Sequence, residues 1–396
     1  MEVEQVNQIE CCWMLMSEYS INPNARAERN YRGLFEAEEY RLVNDFFCPR
    51  PEFEPTPLMH LRALASELGV GDILLKDESA RLGLNSFKIL GASYAVGRLL
   101  GEGRLADDSV VVCASEGNHG RAVARVAAEN KLGAKIYVAS ATSSMRIEVI
   151  EKEGAEVIVV NGNYDDAVKR AAREARRHGW QVISDTSWPE YEEIPRWIML
   201  GYTKLMTEAG MQWSPDPPPD VVFVQAGVGG LACAVVSWLC QRYGTKRPFV
   251  IVCEPASAAC ILESSRAGKP VNLNGPFNTI MAGLRCGEVS PIAWPTLAGA
   301  VDAFVSVDDE QCARGMSALA HPANSDPVVV AGASGACGLA ALLAILQDER
   351  LRPVREASGV SVRSRILIIN TEGATDPELY EQVTGEMHQQ GAQFNI

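Results

Sequence analysis

The sequence predicts an α/β protein of two domains with twisted, mostly parallel sheets covered by helices, and three observations carry that reading. From about residue 72 to 370, short β-branched runs alternate with longer helical stretches, the signature of parallel strands joined by crossover helices. The 396 residues suffice for two ordinary cores with a cleft between them, where a small molecule would sit. Hydrophobic residues are 47% and charged residues 22%, which fits a folded globule and excludes a disordered or fibrous chain.

Taken in order, the expected strands are 72–76, 110–113, 135–138, 157–160, 221–225, 249–253 and 365–369, with helices between them, for example over 120–132 and 143–152. The tract Ser214-Pro215-Asp216-Pro217-Pro218-Pro219-Asp220 reads as a connector, because successive prolines fix φ and remove donors. A second loop is expected between Arg350 and Arg365, where five arginines among Pro, Ser and Gly read as a solvated face. No internal repeat or low-complexity segment interrupts the pattern.

Charge and cysteine usage narrow the function. A net charge of −14 opposes binding to nucleic acid or to an anionic membrane surface. Met1-Glu2-Val3-Glu4-Gln5 lacks a basic leader, and no later run approaches the roughly 18 apolar residues of a membrane span, so a cytoplasmic protein is expected. The eleven cysteines form no C-x-x-C pair and no Cys/His cluster at zinc spacing, so no metal is expected and most are read as small buried hydrophobes. The adjacent Cys11 and Cys12 lie in the N-terminal arm and receive no role.

Three strand-to-helix turns carry residues fit for chemistry. In Lys76-Asp77-Glu78-Ser79-Ala80-Arg81-Leu82-Gly83-Leu84-Asn85-Ser86-Phe87-Lys88, the final lysine falls at a helix start beside apolar neighbours. The helix dipole and burial should lower its pKa and suit it to forming a Schiff base; read alone, it is a surface lysine in a first helical turn. In Ser115-Glu116-Gly117-Asn118-His119-Gly120, backbone N–H groups before a helix make an anion site, with Asn118 as a side-chain donor and Glu116 as an acid or base. An Asx turn with a helix cap explains the same residues equally well.

The third turn is Gln225-Ala226-Gly227-Val228-Gly229-Gly230, whose glycines let backbone approach a phosphate. Gly227-x-Gly229-x-x-Ala232 also satisfies a dinucleotide fingerprint, with Glu254 following Ala232 by 22 residues (254 − 232), so a nicotinamide dehydrogenase is the rival reading. Asp185, after the apolar pair Val182-Ile183, is a candidate proton acceptor. Thr371, in the hydroxyl-rich turn Thr371-Glu372-Gly373-Ala374-Thr375-Asp376, suits a ring nitrogen; local turn capping is the bland alternative for both.

Together and in this order, these segments resemble the fold-type II pyridoxal-phosphate (PLP) enzymes, and within them the diaminopropionate ammonia-lyases. The resemblance runs from about Pro55 to Val383. It includes Gly-Asn-His-Gly at 117–120, Asn-Tyr-Asp-Asp at 163–166, Asp-Thr-x-Trp at 185–188, Ile-Pro-x-Trp-Ile-Met-x-Gly-Tyr at 194–202, Met-Ala-Gly-Leu-x-Cys-Gly-Glu at 281–288 and Thr-Glu-Gly-x-Thr-Asp at 371–376. It implies that Lys88 binds the cofactor as an imine and that Gly227, Val228, Gly229 and Gly230 take its phosphate. Asn118 would meet the ring hydroxyl and Thr371 the pyridine nitrogen, while Ser115, Gly117 and His119 would hold the substrate carboxylate.

The same resemblance makes Asp185 the base for the L-substrate and Glu116 the counterpart of an aspartate used for the D-substrate. It implies α,β-elimination of ammonia from 2,3-diaminopropionate, giving pyruvate and ammonia. A serine or threonine dehydratase, or a β-replacement enzyme, would use the same lysine and glycine loop; a silent relative would bind the cofactor without turnover. Two positions depart from the family: Glu116 stands for aspartate, which bears on D-substrate turnover, and Ala333 for glutamate, which bears on the β-substituent accepted. Cys260 and Cys286 fall where the family can carry a disulfide, and in a reducing cytoplasm two free thiols are expected. The implied architecture is an arm over 1–50, a larger domain from 51–88 and 204–396, and a smaller one over 89–203, in a homodimer.

Overall fold

Continuously apolar runs such as Val221-Val222-Phe223-Val224 belong to strands buried on both faces, and such strands form parallel sheets. The computed structural model describes residues 17–23, 25, 33–115, 117–162, 164–322 and 325–385; Cys11, Cys12 and Glu116 lie outside them. In chain order the strands are β1 (Tyr19–Ile21), β2 (Leu58–His60), β3 (Asp72–Asp77), β4 (Val110–Ala114), β5 (Gly133–Ala139), β6 (Glu156–Val160), β7 (Gln181–Val182), β8 (Val221–Gln225), β9 (Phe249–Pro255), β10 (Ala303–Val307) and β11 (Arg365–Asn370).

They form two sheets. The larger has the order β1-β10-β9-β8-β11-β3-β2, parallel except for its two edge strands, and the smaller has the all-parallel order β6-β5-β4-β7. All seven expected strands are present. The four not anticipated are β10, at the interior side of an edge, and the short pieces β1, β2 and β7.

The helices are α1 (Ala37–Phe47), α2 (Arg62–Glu67), α3 (Lys88–Gly101), α4 (Asn118–Glu129), α5 (Ser144–Lys152), α6 (Tyr164–His178), α7 (Glu193–Gln212), α8 (Gly230–Tyr243), α9 (Cys260–Ala267), α10 (Trp294–Ala300), α11 (Asp309–Ala320), α12 (Ala333–Gln347), α13 (Arg352–Ser358) and α14 (Pro377–Thr384). The connector at 214–220 is free of helix and strand up to Asp220. The loop expected between Arg350 and Arg365 is a correction: it holds α13, which carries Pro353 in its first turn, where a missing N–H costs nothing, and stops at Gly359 with φ 67°.

Period-two alternation divides the larger sheet's side chains between two cores. Val222, Val224, Val250, Val252, Leu367 and Ile369 face one apolar cluster, which continues through α3, α7 and α8 to Val111, Cys113 and Ile136 of the smaller sheet. Val221, Phe223, Phe249, Ile251, Ile366 and Ile368 face the other, covered by α11 and α12. One core therefore spans both sheets and fixes their relation. At the α3–α7 crossing the helices meet so closely that a Cβ on Gly201 would lie 2.6 Å from the Leu90 carbonyl oxygen.

Candidate active site

Among the described residues, every segment singled out for chemistry follows the C-terminal end of a strand: Lys88 after β3, Ser115 and residues 117–119 after β4, Asp185 after β7, residues 227–230 after β8 and Thr371 after β11. In open parallel sheets that end carries the ligand crevice. Long-range backbone bonds join the turns, Phe87 N–H donating to Thr371 O at 3.2 Å and Gly373 N–H to Asn85 O at 3.0 Å. The turn before Lys88 needs left-handed backbone at Leu82 (φ 50°) and Asn85 (φ 57°).

A buried charge network supports that turn from below. The Lys76 ammonium donates to Glu208 at 2.9 Å and to Thr56 O at 2.7 Å, while Arg81 donates to Glu78 at 2.8 Å and to Glu208 at 2.6 Å. All four charged side chains are buried, two cations against two anions. From the small-sheet side, Arg121 donates to Leu84 O.

Lys88 is the first residue of α3, and its Nζ donates to Asp185 Oδ2 at 2.5 Å. The expected lowering of its pKa is overturned. Burial does disfavour the ammonium, but the adjacent Asp185 carboxylate outweighs it and raises the lysine above its ordinary value. Burial likewise opposes the Asp185 charge, yet His119 where it is protonated, and the Lys88 ammonium, hold that carboxyl well below the usual range. With its amine free, Lys88 therefore forms an ion pair with Asp185.

Next to the pair, His119 is buried, with Nε2 2.9 Å from the Ile183 carbonyl oxygen. A carbonyl only accepts, so Nε2 carries the hydrogen and Nδ1 presents a lone pair. Nδ1 stands 3.8 Å from Asp185 Oδ2 and has no hydrogen-bond partner. Burial keeps the imidazole below its usual pKa, hence neutral near pH 7. Asn118 begins α4 and donates to Glu372 Oε2 at 2.5 Å; Gly117 caps the helix, and its N–H donates to Ser115 Oγ at 3.4 Å.

The glycine loop forms a backbone cradle. Gly229 caps α8 at φ 92° with no side chain bonded over the first turn, and a Cβ there would fall 2.7 Å from Leu297. A Cβ on Gly227 would meet Cys286 Sγ at 2.8 Å. Open N–H groups at a helix start fit a phosphate, and the positive φ with the close approach of Leu297 calls for glycine at 229. Thr371 is buried and its Oγ1 accepts from Gln225 Nε2 at 2.9 Å, which leaves its own hydrogen for an acceptor such as a ring nitrogen. An amine, a phosphate cradle and this hydroxyl are the donor set an aldehyde-bearing pyridine phosphate requires.

Cys260 and Cys286 are free thiols. Burial, then Asp185, pushes Cys286 up to about 12, so it stands beside the ion pair as a neutral thiol. Glu372, Gln225 and Tyr202 join the site without having been singled out as residues. Glu372 and Gln225 are legible only as neighbours of motif residues, and Tyr202 as the last residue of the 194–202 motif. Among the described residues no group of three or more His, Cys, Asp or Glu could hold a metal ion.

A strand-end lysine facing a glycine cradle places the chain in a class that comparison identifies: a family model described as "Pyridoxal-phosphate dependent enzyme" matches residues 50–369, and the chain belongs to that family. The nicotinamide reading of the glycine loop falls with it. The chain is 36% identical over 391 residues to diaminopropionate ammonia-lyase of Escherichia coli (strain K12), covering 94% of this chain and 98% of that one. It is 38% identical over 357 residues to the Salmonella typhimurium (strain LT2) enzyme of the same name, covering 84% and 88%. The crystal structure of the Escherichia coli enzyme in complex with an aminoacrylate-PLP azomethine reaction intermediate superposes with a TM-score of 0.86 at 37% identity, covering 93% of this chain and 96% of that one. Within the PLP enzymes, the chain belongs to the diaminopropionate ammonia-lyase family.

Proposed function

We propose that the protein is a PLP-dependent lyase that eliminates ammonia from 2,3-diaminopropionate, with water completing the conversion to pyruvate and a second ammonia. The observation that carries the reading is the Lys88 Nζ to Asp185 Oδ2 contact of 2.5 Å, at the point where five strand-end turns converge. When bound, the cofactor supplies a conjugated ring that delocalises the electrons left as the Cα proton departs. The chain's own residues do the rest.

Lys88 holds the cofactor's aldehyde carbon, the N–H groups of 227–230 hold its phosphate, Asn118 serves its hydroxyl and Thr371 its ring nitrogen. Ser115, Gly117 and His119 orient the substrate carboxylate, so that the Cα–H bond faces Asp185. Asp185, held ionised, accepts the Cα proton of the L-substrate. We take 51–88 with 204–396 as the larger domain and 89–203 as the smaller, and the working unit as a homodimer in the cytoplasm; among the described residues no helix is long and apolar enough to cross a membrane.

Borohydride reduction followed by peptide mass spectrometry tests the linkage, which is expected on Lys88; label on another side chain overturns it. Pyruvate release from L- and D-diaminopropionate, serine and threonine tests the reaction. Rapid release from L-diaminopropionate alone supports the lyase, whereas preference for serine or threonine supports a dehydratase. Because Glu116 carries its carboxylate one methylene further than aspartate, the D-isomer is expected to turn over at least tenfold more slowly than the L-isomer.

A further inference from the structure

Lys88 has two kinds of neighbour, and they suit opposite protonation states. Asp185 is ionised and only accepts, so it satisfies Lys88 as an ammonium and offers nothing to the lone pair of a neutral amine. Tyr202 is the complementary group. Its side chain is 1% exposed, and its hydroxyl is buried without a hydrogen-bond partner of ordinary geometry. Burial holds the phenol protonated, and the charges it senses are those of Lys88 and Asp185.

Packing fixes where this hydroxyl stands. Tyr202 lies on α7 with its ring 4.7 Å from that of Phe87, the residue before Lys88, and the Lys88 Nζ is 5.8 Å from the Tyr202 ring centroid. The α3–α7 crossing closes over the ring, since a Cβ on Gly91 would lie 2.5 Å from Tyr202 Cε1. A buried hydroxyl with no partner costs stability unless some state of the site uses it.

We propose that Tyr202 is a positioning residue that receives Lys88 as a neutral amine, its O–H donating to Nζ while the lysine is off the cofactor. This rests on the function proposed above. When a substrate amine takes the place of Lys88 on the cofactor carbon, one C–N bond forms as the other breaks, and a proton passes from the incoming nitrogen to Nζ. Lys88 then leaves as a neutral amine while Asp185 is engaged at Cα. Tyr202 is the protonated donor that holds the lysine for its return.

The test uses full-length holoenzyme carrying Tyr202→Phe or Tyr202→Leu. The wild-type visible band and pyruvate release come first; their absence overturns the parent reading and this one with it. For Tyr202→Phe, kcat should fall on the order of 10- to 100-fold, the worth of one buried hydrogen bond, with KM changed less than threefold. Stopped-flow absorbance should show the resting visible band returning more slowly by the same factor once substrate is exhausted. Tyr202→Leu should match Tyr202→Phe in that recovery rate. Wild-type recovery and kcat in Tyr202→Phe, or a loss confined to Tyr202→Leu, would leave only a packing role and overturn the inference while leaving the lyase intact.

Discussion

Replacing Asp185 by asparagine keeps the shape of the site and removes one charge, so its consequences separate the two roles assigned to that carboxylate. At the observed 2.5 Å, the attraction between the Lys88 ammonium and Asp185 is about 6–7 kcal/mol at an effective dielectric near 20. Desolvation of two partly buried ions offsets much of this, but the raised lysine and depressed carboxyl show which term wins. Without the carboxylate, burial alone acts on Lys88, and its pKa should fall below the ordinary value of about 10.4. The neutral amine then reacts more readily with an aldehyde.

Two effects of opposite sign follow for Asp185→Asn. Uptake of PLP by the cofactor-free variant, read from the visible band, should be at least as fast as in wild type near pH 7. Pyruvate release from L-diaminopropionate should fall about 10²- to 10⁴-fold, the usual worth of a positioned base. The pH dependence has a definite sign as well. A depressed carboxyl stabilises the fold above about pH 3.9 and loses this as pH falls through its folded pKa, and a raised lysine stabilises below about 10.4 and loses this as pH rises through its own. For the cofactor-free proteins, the melting-temperature gap between wild type and variant should thus be widest between those limits. Turnover within threefold of wild type, or failure to take up PLP, would refute the assignment.

Other perturbations test the scaffold. Glu208→Gln leaves Lys76 and Arg81 facing one carboxylate in a buried network; at about 3–5 kcal/mol for a broken buried pair, calorimetry should show melting lowered by about 4–6 °C for a chain of this size. Gly229→Ala places a Cβ 2.7 Å from Leu297 at φ 92°, so PLP titration should show affinity at least about tenfold weaker, and unchanged affinity would remove the loop from the phosphate site. Thiol counting in denaturant should find Cys260 and Cys286 free, with melting unchanged by a reductant.

Local sequence made the strands legible because β-branched runs such as 221–225 and 365–369 carry their own signal, and it marked the glycine loop because positive φ at Gly229 admits few residue types. Pairings between distant segments left no such trace. The sign of the Lys88 shift depends on a carboxylate 97 residues away, and neighbours in sequence pointed the other way. Glu372 meets Asn118 across 254 residues, so its role had to await the fold. The edge strands β1 and β2, three residues each, are too short for periodicity, and the Pro353 that argued for a loop instead sits in the first turn of α13.

The site draws Lys88, the glycine loop and Thr371 from the larger sheet and Ser115, residues 117–119 and Asp185 from the smaller, so no single sheet fixes the Lys88–Asp185 distance. What fixes it is the shared core through α3, α7 and α8, and most directly the crossing where Gly91 and Gly201 admit no side chain. Lys88 begins one helix of that crossing and Tyr202 lies on the other, adjacent to the contact. A displacement near 1 Å at a catalytic group costs about a hundredfold in rate, so the packing of two glycines some distance from any proton transfer becomes part of the chemistry.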